Sequence, residues 1–437
     1  MDNQALSTST LEKKNWTRQI ITVGAFFFIF GFITWVNGTL IPYLQIACEL
    51  KEWQAYLVTF AFYISYTIMA LPSSRILQRT GMIKGMRIGL LIMAIGCALF
   101  IPAALARYYP FFLLSLFVVG TGVTLLQTAV NPYITLLGPQ SKAAQRMSIM
   151  GICNKFAGVI APLILGAIIL KNSDGLIQEL QLMTATERQI RLDDLAHAVI
   201  APYIVLTISL LLIAYAIKFA KLPEIDIAPP TDTLQQTTIT LTNKQRINFT
   251  LGFIATFSIV GLEVVAGDTI GNYGIYHGLS LDIAKHLTSY TLASTMIGYL
   301  LGVYAIPKFI SQEKAFTYSA WLGVIISLLV IFGPGKSSVV FVALLGLANA
   351  LLWPAVWPQA LRGLHGALLN RASAILIMGI AGGAIMPLLY SVIATYTNNQ
   401  FAYIILIPCY LFNVYYSAKG RRLSTKSMGS AQEVLSN

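Results

Sequence analysis

The sequence predicts an all-α membrane protein of twelve transmembrane helices, arranged as two six-helix bundles that repeat in parallel. Three observations predict it. Of 437 residues, 56% are hydrophobic and only 11% charged, against roughly 25% charged in an ordinary soluble domain. Apolar runs of about 20 residues, the length that crosses a bilayer as a helix, recur from end to end. The two halves of the chain also carry related segments in the same order.

The first 18 residues are polar and read as a cytoplasmic N-terminus. Six apolar runs follow at 19–46, 54–74, 83–105, 108–137, 146–170 and 198–219, and six more at 247–271, 284–306, 315–333, 338–360, 372–395 and 400–417. They are numbered here as spans 1 to 12. Residues 19–219 form the N-terminal bundle, 220–246 a cytoplasmic linker rich in Pro, Thr and mixed charge, 247–417 the C-terminal bundle, and 418–437 a cytoplasmic C-terminus. The first run is too long for a signal-peptide core and has no small-residue cleavage site after it, so no leader is expected. Between spans 5 and 6 the acidic stretch 172–196 reads as external, with one amphipathic helix through LIQELQLMTATERQIRLDDL.

The formal charge of +12 is unevenly distributed. With Met1 inside, 21 of the 29 Lys and Arg residues fall in cytoplasmic segments, seven fall outside, and Lys155 lies within a span. That asymmetry follows the positive-inside rule and places both termini in the cytoplasm. No soluble domain exists to carry a nucleic-acid patch, so the expected partners are membrane lipid and a small solute, with the chain acting as a monomer. Cys48, Cys97, Cys153 and Cys409 show no metal-site or disulfide spacing, and His197, His277, His286 and His365 sit apart, so neither a metal centre nor an enzyme is expected. The lack of a GxxxxGK[ST] motif argues against ATP-driven transport by this chain.

LQTAVNP at 126–132 aligns with LWPAVWP at 352–358, and IMGI at 149–152 recurs at 377–380, at offsets of 226 and 228 residues. Spans 4 and 5 therefore match spans 10 and 11 in order and orientation. Parallel six-span halves with a site between them are the plan of the major facilitator superfamily. Gln127 and Asn131, four residues apart, share one face of span 4, and their counterparts Trp353 and Trp357 share the matching face of span 10. Amides opposite indoles suit a sugar: the amides pair with hydroxyls and the rings lie against the apolar face of a pyranose.

Lys155 is the one basic residue within the apolar stretch 147–170. Such a charge costs about 2.5–3.5 kcal/mol on insertion scales and marks a functional site. It lies about 13 Å along the helix from Arg146, while Gln127 lies about 15 Å from the inner end of span 4. Asn154 is its neighbour. Span 7 holds Glu263 and Asp268, about 140° apart on an ideal helix, so they face different ways unless Ala266-Gly267 breaks it. Glu263 is the expected partner of Lys155. In span 1, Asn37-Gly38 followed by Pro42 favours an irregular helix.

The segments FGFITWVNGTLIPYLQIACEL, LQTAVNPYITLLGP, SIMGICNKFAGVIAPLILG, GLEVVAGDTIG and ILIMGIAGG together resemble the fucose/proton symporter family of that superfamily, and within it the bacterial glucose/galactose permease branch. The resemblance covers nearly the whole chain. It implies a secondary active transporter that imports a monosaccharide by alternating access in a bacterial inner membrane, coupled to H+ or Na+ and needing no other cofactor. The family's coupling carboxylates, an Asp in span 1 and a Glu in span 4, correspond to Gly38 and Gln127; its pocket Asn in span 5 corresponds to Asn154, and a pocket Gln to Gly151. PSSRILQRTGMIKG keeps the superfamily's Arg79…Gly81 spacing with Gln78 in place of Asp.

The expected sugar site is then Gln127, Asn131, Asn154 and Asn37 with Trp353 and Trp357, and the expected coupling groups are Lys155, Glu263 and Asp268. With neither family carboxylate present, a fixed charge on Lys155 would instead make the chain an uncoupled facilitator. A small organic anion paired with Lys155 is the other alternative.

Overall fold

The structure is a computed structural model that describes residues 2–136, 143–170, 176–219, 222, 242–306, 308–364 and 366–419. Nearly all of the described residues are helical. Eleven segments are long and apolar enough to cross a membrane: Gln19–Ala47, Glu52–Thr80, Met82–Leu105, Tyr109–Asn131, Ile149–Ile169, Ala185–Phe219, Asn243–Asp268, Gln312–Phe332, Gly335–Ala360, Ala372–Tyr396 and Phe401–Lys419. The twelfth, span 8, is the 19-residue helix Leu287–Ala305, less apolar because it carries several Ser and Thr. Those hydroxyls turn into the protein: Thr288 donates to Gly267 O, Ser289 to Val159 O and Thr295 to Thr291 O.

Several boundaries differ from expectation. The first helix runs unbroken from Asp2 to Trp35, where residues 2–18 contain no Gly or Pro to stop it. The stretch expected to be external contains two helices, Leu176–Leu182 and Ala185–His197. Thr184 and Glu187 form a reciprocal capping box that starts the second, a Thr-x-x-Glu signal that overrides the continuous amphipathic pattern. This second helix docks on the bundle through Arg107–Asp193 at 3.0 Å and a Tyr43 hydroxyl bond to Leu195 O at 2.7 Å. Of the linker, Leu222 and residues from Thr242 are described; the C-terminal segment lies outside the described residues beyond Lys419, as does His365.

Four spans are interrupted. Span 1 turns at Val36, between Asp2–Trp35 and Asn37–Ala47. Span 7 is helical through Ala266-Gly267 to Asp268 and is interrupted at Thr269, so Ala266-Gly267 does not break it. Span 10 separates into Gly335–Asn349 and Leu352–Ala360. Pro354 explains that gap: it lacks the N–H that would bond the Ala350 carbonyl, and its ring crowds that carbonyl. Span 11 passes through a 3-10 turn at Gly379–Ala381. An even number of spans puts both chain ends at one end of the bundles, called the terminal end below, opposite a distal end.

Packing relies on close approach of small residues, as membrane helices require. A Cβ at Gly89 would stand 2.9 Å from Gly122 O where spans 3 and 4 cross, and one at Gly382 would stand 1.8 Å from Phe257 O where spans 11 and 7 cross. Gly81, in the loop between spans 2 and 3, takes a φ of 80°, which explains the glycine there.

Candidate functional site

The most strongly charged contact between the bundles is Lys155 with Glu263. Lys155 is buried, 6% exposed, and its Nζ pairs with Glu263 Oε1. The ammonium also lies 4.6 Å from the centroid of the Trp35 ring, a cation–π arrangement. Trp35 is held there by two glycines. A Cβ on Gly158, one turn from Lys155, would be 2.6 Å from Trp35 Cδ1; one on Gly267, one turn from Glu263, would be 2.8 Å from Trp35 Cζ3. Spans 1, 5 and 7 thus converge on one neutralised pair. Removing one member would leave a buried charge alone, which costs about 3–5 kcal/mol.

Asp268 is placed differently. The helix stays intact from Glu263 to Asp268, so the two carboxyls point away from each other, and Asp268 is fully buried against span 2. Thr59 Oγ1 donates to its Oδ2 at 3.1 Å, while Oδ1 has no hydrogen-bond partner among the described residues. Beyond it, polar contacts join the bundles at the distal end. Asn272 Nδ2 donates to Gln45 Oε1 at 2.8 Å and Asn399 Nδ2 to Glu52 Oε1 at 2.6 Å. Lys285 Nζ donates to Leu170 O at 3.1 Å and also pairs with Asp282, whose carboxyl this hydrogen bond holds below the usual carboxylate range.

The amide and indole faces occupy the spans expected of them. Gln127 and Asn131 are half-buried on span 4. Trp353 and Trp357 are half-buried on the second helix of span 10, Leu352–Ala360, ring centroids 5.6 Å apart and tilted 39°. Trp357 also packs against a core cluster of its own bundle made by Ala360, Leu361, Leu364, Ala372 and Leu376. Asn154 spends one donor on Phe27 O at 3.3 Å and fits against Gly31, where a Cβ would be 2.6 Å from its Nδ2. Its amide therefore helps join spans 1 and 5.

Asn37 is not placed between the bundles. Its side chain sits beside Phe62, Phe100 and Tyr203 inside the N-terminal bundle, and its Nδ2 has no partner among the described residues. Gly38 is the residue that faces the other bundle: a Cβ there would be 2.4 Å from Thr288 Oγ1. Successive helical residues differ by about 100°, so only one of the two can face the interface.

Three participants escaped sequence reasoning. Trp35 stands in the quoted span 1 segment, but its role follows from glycines on two other spans. Thr59 lies among apolar residues with no pattern of its own, and the Gln45–Asn272 bond depends on where spans 1 and 7 cross. No group of three or more His, Cys, Asp or Glu side chains converges among the described residues.

Comparison with known proteins fits this architecture. The model of the Major Facilitator Superfamily matches residues 23–402. The glucose/galactose transporter of Brucella abortus biovar 1 (strain 9-941) is 32% identical over 429 residues, covering 96% of this chain and 98% of that protein. The L-fucose-proton symporter of Escherichia coli (strain K12) is 27% identical over 365 residues, covering 82% and 83%. The crystal structure of the E. coli fucose:proton symporter superposes with a TM-score of 0.73 at 24% identity, covering 93% of this chain and 99% of that one. The chain belongs to the major facilitator superfamily.

Proposed function

We propose that this member of the major facilitator superfamily is a secondary active transporter that imports a monosaccharide of the glucose/galactose or fucose class by alternating access. The observation that carries the reading is its end-to-end likeness to the B. abortus glucose/galactose transporter. The membrane is a bacterial inner membrane, both termini are cytoplasmic, and the working unit is a monomer; the charge asymmetry of the loops supports the orientation.

Gln127, Asn131 and Asn154 supply amides to the sugar hydroxyls, and Trp353 and Trp357 supply ring faces to its C–H groups. Asn37 is left out of this set because its side chain lies within one bundle. The coupling group lies among Lys155, Glu263 and Asp268, and H+ or Na+ is the only cofactor. An uncharged sugar leaves the Lys155–Glu263 pair intact, whereas an organic anion would have to compete with Glu263 for the ammonium. That competition favours sugar over anion.

The test is uptake of labelled glucose, galactose and fucose into proteoliposomes under proton and sodium gradients imposed separately. Accumulation of one of them under either gradient is expected. Equilibration without accumulation would make the chain a facilitator, and uptake of carboxylates but of no hexose would overturn the reading.

A further inference from the structure

Two acidic residues five positions apart on span 7 have opposite surroundings. Glu263 has a cation. Asp268 has none: it forms no ion pair with any described Lys, Arg or His, and its only hydrogen bond among the described residues comes from a neutral hydroxyl on the opposite bundle. The other titratable groups near it are Tyr56 and Tyr63 of span 2 and Glu263 of its own helix, and the last is balanced by Lys155. A carboxylate stripped of water must gain donors, a metal cation or a proton.

A metal cation needs a cage of several oxygens. Among the described residues Thr59 alone turns a hydroxyl onto the Asp268 carboxyl. Thr269 donates to Val265 O at 2.6 Å, Thr288 to Gly267 O at 2.8 Å and Thr291 to Ala266 O at 3.4 Å, so these hydroxyls are directed at the span 7 backbone and do not converge with Thr59 on the carboxyl. A proton needs only one oxygen, and Oδ1 has no partner among the described residues.

Resting on the transport reading above, we infer that Asp268 is the proton site of this transporter, that its coupling ion is H+ rather than Na+, and that the Lys155–Glu263 pair is a fixed contact between the bundles. Asp268 belongs to the C-terminal bundle and Thr59 to the N-terminal bundle, so the carboxyl is enclosed only while the distal ends are together. When they part, water reaches Asp268 and it exchanges a proton with the distal solution. Closure traps the O–H form, and the proton leaves to water on the terminal side when that end opens. Proton binding and distal closure are thereby linked.

The experiment needs no sugar, so its failure is separate from failure of the substrate assignment, which hexose uptake tests alone. The full chain, with its native cysteines replaced, carries spin labels at Leu182→Cys, 88% exposed on the external helix, and at Thr397→Cys, exposed on the distal loop between spans 11 and 12. Distances are measured in nanodiscs from pH 5.5 to 9, in sodium and in choline buffer. The closed-to-open ratio should fall with rising pH, approaching about tenfold per unit for one linked proton, equally in both buffers. Asp268→Asn should flatten this dependence with the distal end closed, whereas Glu263→Gln should displace the ratio at every pH and keep the slope. A wild-type ratio indifferent to pH, closure by sodium in place of acid, or an Asp268→Asn protein with the wild-type slope would each overturn the inference.

Discussion

Spans 4 and 5 are unbroken helices, Tyr109–Leu136 and Ala143–Ile169, whereas their counterparts, spans 10 and 11, are each interrupted. The motifs are nearly the same. Ala129-Val130 and Ala355-Val356 are buried in the same way, so the repeat keeps its packing register. The residue before each pair differs: Thr128 continues the helix and donates to Thr124 O at 2.7 Å, whereas Pro354 has no N–H for the Ala350 carbonyl and the helix is interrupted between Asn349 and Leu352. After IMGI, span 5 has Asn154 and Lys155 where span 11 has Gly382 and Gly383. In the first half the glycine that lets two helices meet lies on span 1, as Gly31 against Asn154. In the second half it lies on span 11, as Gly382 against Phe257. One ancestral plan thus holds charge and amides on continuous helices in one half, and rings on interrupted helices in the other.

The comparison can be broken by exchanging those features. The largest effect is expected for Lys155→Gly, which copies span 11 into span 5 and leaves Glu263 unpaired. It should lower stability by about 3–5 kcal/mol in thermal unfolding, with much of the loss recovered when Glu263→Ala is added. Gly382→Asn, the reverse copy, drives a side chain into Phe257 O and should cost about 1–3 kcal/mol in the same assay. If Gly382→Asn were neutral, the close crossing of spans 7 and 11 would not be needed. Replacing the ring faces with their repeat partners, Trp353→Gln or Trp357→Asn, should raise the hexose KM about three- to tenfold, from a ring contribution of about 0.5–1.5 kcal/mol. Gln127→Ala should raise it about fivefold, for one net hydrogen bond of about 1 kcal/mol. The smallest effect is expected for Pro354→Thr, which mends span 10. Its stability change should stay below about 1 kcal/mol, with slower amide exchange at Leu351 to Trp353 as the sign that the helix has closed.

Much of the fold was legible because membrane burial is a local property. Each span announces itself by composition, and the two motifs gave the repeat its register. Lys155 and Glu263 were visible as a pair because few charges lie in apolar runs, and the structure joins them. The capping box at Thr184 and Glu187 is a readable signal, but it lies inside a longer amphipathic pattern that runs across it. Asn37 shows a different limit. A turn at Val36 and one residue of rotation decide whether Asn37 or Gly38 meets the other bundle, and no pattern over ten residues resolves that.

By itself the sequence determined twelve spans in two repeats, the orientation expected from their loops, and the few ionisable side chains that must find partners away from lipid. Each follows from transfer free energy and helical periodicity, which a short window of residues already expresses. Only the tertiary structure decided that Trp35 covers Lys155, that Thr59 meets Asp268, and that Thr288 closes on Gly38. These contacts join residues tens to hundreds of positions apart, and they depend on the rotation and crossing of whole helices, set by glycines and prolines elsewhere in the chain.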